Sequence, residues 1–208
     1  MSAEGQTFYP KGRLRASGAA RVAIFGGSFD PVHLGHLMAA SEAAEALDLD
    51  KVLFVTAARP PHKTPVAPPE ARHEMVVLAT AYDPRFEASR LELDRPGFSY
   101  TVDTLRQARR LYPQAELFFI TGADAYRDMD GWHEAEALPE LAQLVAVTRP
   151  GYPFSIHPFF QAHVRLLDIL DYEVSSTMVR ERLRAGRSIR YLVPLEVEEY
   201  LAKHGFYR

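Results

Sequence analysis

Cysteine is absent from the 208-residue chain. That absence removes disulfides, thiolate zinc sites, iron–sulfur clusters and thiol nucleophiles from consideration. Long apolar runs are missing as well. None approaches the ~18 residues of a membrane span, and no apolar stretch follows Lys11, Arg13 and Arg15 to make a secretory signal. Charge of one sign is not in excess, since 24 Lys and Arg against 27 Asp and Glu leave a formal net charge of -3. A broad basic face for nucleic acid or an anionic membrane is therefore not expected, and any phosphate site must be local. Neither GxGxxG nor GxxxxGK[ST] occurs, so the ordinary dinucleotide and P-loop readings fail; HExxH is absent too. The default expectation is a soluble cytoplasmic protein with no nucleic-acid or membrane partner.

What is present is a core and a rhythm. Apolar residues make up 47% of the chain, enough for one domain of ordinary size. Residues 1–20 mix Gly, Ser, Ala and charge without periodicity and read as a loosely held tail; residues 21–208 read as the domain. Short apolar runs at Arg21–Phe25, Lys51–Thr56, Glu116–Thr121, Gln143–Thr148 and Val164–Ile169 predict strands, with another near Arg90–Leu93. Between them, helices are predicted over Gly35–Asp48, Glu70–Tyr82, Thr101–Leu111 and around Trp132–Leu141, then Met178–Ala185 and Pro194–Lys203. The proline-rich stretch Arg59–Pro69 fits neither helix nor central strand and predicts a long exposed loop. Strands alternating with helices predict a single doubly wound, Rossmann-like α/β domain with a mainly parallel sheet and C-terminal helices. Ligands are then expected at the carboxyl ends of the strands.

The segment GGSFDPVHLGH, from Gly26 to His36, joins the first predicted strand to the first helix. Gly26 and Gly27 let the backbone turn tightly and approach a ligand with no side chain in the way. The helix start offers unpaired N–H groups and a positive dipole end, which suit phosphate. His33 and His36 stand three apart, so their rings face one side and can donate to oxygens on a phosphorus under attack. A lone His-x-x-His pair is more often incidental or half of a metal site; here the conjunction of strand, glycine pair, Asp-Pro turn, two histidines and helix is the specific signal. Near the other end, Ser175, Ser176 and Thr177 precede Met178, Val179 and Arg180. Hydroxyls before a helix cap it and also bind phosphate, and an Arg on the first turns forks onto phosphate oxygens. Plain capping with Arg180 in solvent is the bland alternative.

The first segment resembles the His-x-Gly-His signature of the adenylyl- and cytidylyltransferase superfamily, and the second its Ser-Ser/Thr-x-x-Arg signature. Pro60-Pro61-His62-Lys63, Ser99 to Leu105, Gly122 to Trp132, Arg149-Pro150-Gly151 and Tyr191-Leu192-Val193-Pro194 are similar to the bacterial nicotinate-nucleotide adenylyltransferases, and the likeness covers roughly residues 21–208. Departures are conservative: Ser28 stands where Thr is usual, and Val174 opens the second signature in place of Ile.

The resemblance implies direct in-line attack by the phosphate of nicotinate mononucleotide on the α-phosphorus of ATP, in NAD synthesis. His33, His36, Lys63 and Arg180 would carry the chemistry. ATP contacts are implied for those four and for Gly26, Gly27, Ser28, Phe29, Gly122, Asp124, Arg149, Ser175, Ser176 and Thr177. Tyr100, Thr101 and Trp132 would hold the mononucleotide. Mg2+ would be bound mainly through ATP phosphates, with no dedicated protein cage. On the residues alone, Lys63 is otherwise a solvated loop lysine, the less favoured reading beside Pro60, Pro61 and His62; Asp124 is a ribose acceptor or a helix cap; and Trp132 is core in preference to a stacking platform. A nucleotide-binding sensor without turnover and a synthetase-like RNA binder are the rival readings, and assembly into a homo-oligomer is left open.

Overall fold

A computed structural model describes residues 18–148, 158–170 and 172–208. Strands β1 (Arg21–Gly27), β2 (Lys51–Thr56), β3 (Phe86–Ser89), β4 (Glu116–Gly122), β5 (Gln143–Thr148) and β6 (Val164–Asp168) build one 6-stranded parallel sheet in the order β3-β2-β1-β4-β5-β6. Helices α1 (Leu34–Ala46), α2 (Pro69–Thr80), α3 (Thr101–Leu111), α4 (Ala123–Arg127), α5 (Leu138–Leu141), α6 (Pro158–Gln161), α7 (Ser176–Arg184) and α8 (Leu195–His204), with 3-10 turns at Met129–Gly131 and Ala135–Ala137, complete the described elements.

The strands are continuous apolar runs because both faces of the sheet are covered. In β1, Ala23 and Phe25 join a core with α1, α2, α7 and α8, while Val22 and Ile24 join the core under α3 and α5. Small residues set the closeness of α1, whose Ala39, Ala40, Ala43 and Ala44 are buried against the sheet. The chain leaves β1 towards β2 and β3, then returns to lay β4 along the other side of β1. That reversal splays the loops after β1 and β4 apart and opens a crevice at their carboxyl ends.

The predicted doubly wound α/β fold is the observed one, with two local corrections. The strand expected near Arg90–Leu93 lies earlier, at Phe86–Ser89, where Val52 to Val55 of β2 pair with it. As the last strand on that side, β3 needs little apolar surface, and its pattern is correspondingly faint. Arg90 to Asp94 instead forms a turn closed by the Asp94 N–H on the Arg90 carbonyl at 3.0 Å. The helix expected around Trp132–Leu141 breaks into a 3-10 turn at Ala135–Ala137 and the short α5, and α4 was not anticipated. Trp132 is extended and Glu134 is left-handed at φ 48, which interrupts any continuous helix there. Of the tail predicted over residues 1–20, residues 1–17 lie outside the described residues; Ala20 is tied to the sheet by its carbonyl, which accepts from the Glu116 N–H at 2.9 Å. No helix among the described residues is long and apolar enough to cross a membrane.

Candidate active site

Two cavities flank the ends of β1 and β4. The first, about 570 Å³, lies towards α3 and the proline loop; the second, about 540 Å³, lies towards α1 and the start of α7. Gly26, Gly27 and Thr121 border both. The glycine pair is therefore the floor where the two volumes meet.

His33 and His36 stand beside the second cavity. Their rings stack with centroids 3.7 Å apart and planes at 26°. The His36 Nδ1 accepts from the His33 backbone N–H at 3.2 Å, so in its neutral form the His36 proton sits on Nε2. Burial pushes the His33 imidazole down to about 4. Burial, then the neighbouring His33 and Lys63 charges, hold His36 well below its ordinary value. Near neutral pH the pair is thus two uncharged imidazoles. Gly35 makes the stack possible, because a Cβ there would sit 3.1 and 3.2 Å from the His33 ring and 3.4 Å from the Val174 carbonyl. Phe29 supports the pair from below, in a left-handed conformation at φ 46 and 5.1 Å from the His36 ring. One expected helix-start donor is already engaged: the Leu34 N–H donates to the Leu192 carbonyl at 2.9 Å.

The second signature is brought onto the first across the whole domain. Ser175 caps α7, accepting from the Met178 N–H at 3.1 Å, and borders the second cavity. Ser176 Oγ donates to the Pro31 carbonyl at 2.8 Å. Arg180 donates through Nη1 to the Asp30 carbonyl at 2.7 Å and through Nη2 to Thr177 Oγ1 at 3.1 Å. The hydroxyls and the guanidinium therefore gather beside the Asp30-Pro31 turn that leads to the histidines.

Tyr100, Thr101 and Trp132 line the first cavity together, as do Ser28 and Lys63. Trp132 is half-buried, edge-on to Phe119 at 6.2 Å and 76°, and leaves surface to the cavity. Tyr100 precedes α3 with an extended backbone and no side-chain cap on the helix. Lys63 is exposed and belongs to this cavity rather than to the histidine side, although its charge is felt at His36. Gly122 borders the second cavity; Asp124 is the second residue of α4; Arg149 lies outside the described residues. No group of three His, Asp or Glu side chains suited to a metal occurs among the described residues.

Sequence reasoning passed over the residues that frame this site. Asp30, only 2% exposed, accepts from the Val66 and Ala67 N–H groups at 2.8 and 3.0 Å and from the Tyr207 hydroxyl at 2.7 Å. It thereby ties the end of the proline loop to the glycine turn. Arg72, 1% exposed, donates to the carbonyls of Ser28, Ala57 and Ala67 at 2.6, 2.8 and 3.0 Å. Its signal was available: a charged residue among Ala71, Met75 and Val76 on the inward stripe of a helix. Glu92 borders the first cavity, bonded to the Thr104 hydroxyl, and burial pushes its carboxyl above the usual range.

A glycine floor between two cavities, with stacked histidines on a helix entry and a Ser-Thr-Arg cap docked beside them, defines an α/β nucleotidyltransferase site. The cytidylyltransferase-like family model matches residues 24–182. The chain belongs to that family and, within it, to the nicotinate-nucleotide adenylyltransferases. A probable nicotinate-nucleotide adenylyltransferase of Thermus thermophilus is 66% identical over 188 residues, 90% of this chain and 100% of the relative. One of Leifsonia xyli is 49% identical, covering 90% of this chain and 94% of the relative. Among solved structures, Plasmodium falciparum nicotinic acid mononucleotide adenylyltransferase complexed with NaAD shares the fold, with a TM-score of 0.76 at 21% identity over 90% of this chain and 97% of that one.

Proposed function

We propose that the chain transfers the adenylyl group of ATP to nicotinate mononucleotide, releasing pyrophosphate and nicotinate adenine dinucleotide, in the cytoplasm, where both charged substrates are held. Residues 21–208 form the catalytic unit. The observation that carries this reading is the pair of cavities meeting over Gly26 and Gly27. Two nucleotides bound one on each side would bring their phosphates together above the glycines, with no side chain between them.

A phosphate oxygen of the mononucleotide attacks the α-phosphorus of ATP; a new P–O bond forms there, and the bond to the bridging oxygen breaks as pyrophosphate leaves. No enzyme nucleophile is required, so alignment and charge stabilisation do the catalysis. His33 and His36 donate to oxygens on the reacting phosphorus. Ser176, Thr177 and Arg180 hold the triphosphate, joined by Lys63 from the side of the first cavity; Asp124 accepts from the ribose hydroxyls, and Ser175 and Arg149 are further ATP contacts. The donors gathered here are imidazoles, hydroxyls and cations, a set that fits phosphate oxygens better than it fits a metal ion. Mg2+ would accordingly be carried on the triphosphate and its waters, neutralising charge there.

Nicotinate carries a carboxylate where nicotinamide carries a neutral amide. The Thr101 N–H at the start of α3 and the positive end of that helix suit the acid, while the Tyr100 N–H is already given to the Phe98 carbonyl at 3.1 Å; a backbone donor cannot turn round to accept from an amide NH2. Trp132 stacks on the pyridine ring. Incubation with Mg-ATP and each mononucleotide, followed by product identification, tests both parts. Dinucleotide is expected from the acid at much higher catalytic efficiency. Trp132→Ala should raise the KM for the mononucleotide and leave that for ATP nearly unchanged. Absence of any dinucleotide product would refute adenylyl transfer; equal efficiency with the amide would refute only the selectivity.

A further inference from the structure

Asp30 and Tyr207 form a contact that links residues 177 positions apart, and the adenylyl-transfer reading gives it no role. The two charged groups nearest Asp30 are differently engaged. Arg72 is consumed by backbone carbonyls. Arg180 is engaged only in part: Nη1 donates to the Asp30 main-chain carbonyl at 2.7 Å and Nη2 to Thr177 Oγ1 at 3.1 Å, Nη1 stops 3.9 Å from Asp30 Oδ2, and Nε is buried without a hydrogen-bond partner. A buried carboxylate beside a guanidinium ordinarily takes it in a forked ion pair. Here it does not, because Oδ2 already accepts from Val66, and Oδ1 accepts from Ala67 and from the Tyr207 hydroxyl.

We propose that Tyr207 is a positioning residue for the triphosphate: its hydroxyl completes the hydrogen bonding of Asp30 and so keeps the Arg180 guanidinium off that carboxylate, with the second N–H groups of Nη1 and Nη2 left for phosphate. Burial, then the bond to Asp30, raise the phenol far above its usual range, so it stays a donor. Tyr207 is itself 5% exposed and held after α8 by the left-handed Gly205 at φ 69, which turns the chain back towards the glycine turn. Without the hydroxyl, the buried carboxylate keeps only the Val66 and Ala67 N–H groups, and the neighbouring guanidinium of Arg180 has N–H groups to spare. The guanidinium then swings onto Asp30 and leaves the triphosphate.

This inference rests on the assignment of Arg180 to ATP, and its test separates the two. Calorimetric titration with Mg-ATP needs no turnover, and comparing wild type with Tyr207→Phe reads the effect directly. We expect ATP binding and the KM for ATP to weaken about five- to tenfold, the scale of one ordinary hydrogen bond. The KM for the mononucleotide should stay within about twofold. A double-mutant cycle adds the readout that packing alone would not move. In an Asp30→Asn background the competing charge is gone, so adding Tyr207→Phe should cost nothing further in ATP affinity, and this arm stands even if the single variant folds poorly. Unchanged ATP affinity in Tyr207→Phe, equal losses for both substrates, or an undiminished loss in the Asn background would each overturn the proposal. If wild type binds Mg-ATP but makes no dinucleotide, the functional reading fails while the role of Tyr207 is still decided by the titration.

Discussion

With ring centroids 3.7 Å apart, His33 and His36 cannot both be charged in the free protein without strong repulsion, and burial already opposes the first proton. In the proposed reaction, their positive character would be available chiefly where charge builds on the reacting phosphorus. His36→Ala should lower kcat about 100- to 1,000-fold, as loss of one transition-state donor does elsewhere, with little change in ATP affinity. Steady-state kinetics checks this, and an unchanged kcat would remove His36 from the chemistry. Stability should carry the mark of the same burial. The folded His33 titrates near 4, against 6.5 for an unperturbed imidazole, so between those values the unfolded chain binds the extra proton. Above 6.5 the shift has no effect; as pH falls from 6.5 to 4 the folded state loses about 3 kcal/mol relative to a protein without this group. Urea unfolding of wild type and His33→Gln at pH 7 and pH 4.5 reads it: the wild-type advantage should shrink on acidification, and a constant difference would contradict the assignment.

The elements are held around the site by side chains rather than by strand pairing. The glycine turn after β1, the end of β2 and the start of α2 all converge on Arg72, whose guanidinium replaces the backbone partners that their carbonyls lack. Arg72→Met fills much of the same volume but strands those acceptors. The expected cost is about 1–3 kcal/mol, seen as a lower Tm together with a higher KM for ATP because Ser28 and the proline loop loosen. A variant as stable as wild type would mean that water replaces the guanidinium. Asp30 does the complementary work with donors, fastening Val66 and Ala67 so that the loop carrying Lys63 ends at a fixed place.

On the scale of the whole molecule, every described part of the site lies between Ile24 and Tyr207. A protein beginning at residue 18 should keep kcat, both KM values and Tm; a lost activity would show that the preceding residues reach the site. Much of this architecture was legible beforehand. Continuous apolar runs such as Lys51–Thr56 mark strands covered on both faces, and the glycine pair followed by two histidines at helical spacing marks a tight turn and two rings on one side of a helix entry, because backbone freedom and i, i+3 proximity are local. The short edge strand Phe86–Ser89 was not legible, since a strand paired on one side only needs no strong pattern. Nor was the fate of each polar group. Nothing near Ser176 in the chain says that it docks on Pro31, 145 residues away, or that Asp30 is claimed by Tyr207 rather than by Arg180. The sequence determined by itself which segments turn, cap and bury, because those depend on neighbours along the chain. Only the tertiary structure decided which donor satisfies which buried acceptor, because that choice depends on groups that meet only after the sheet has ordered them.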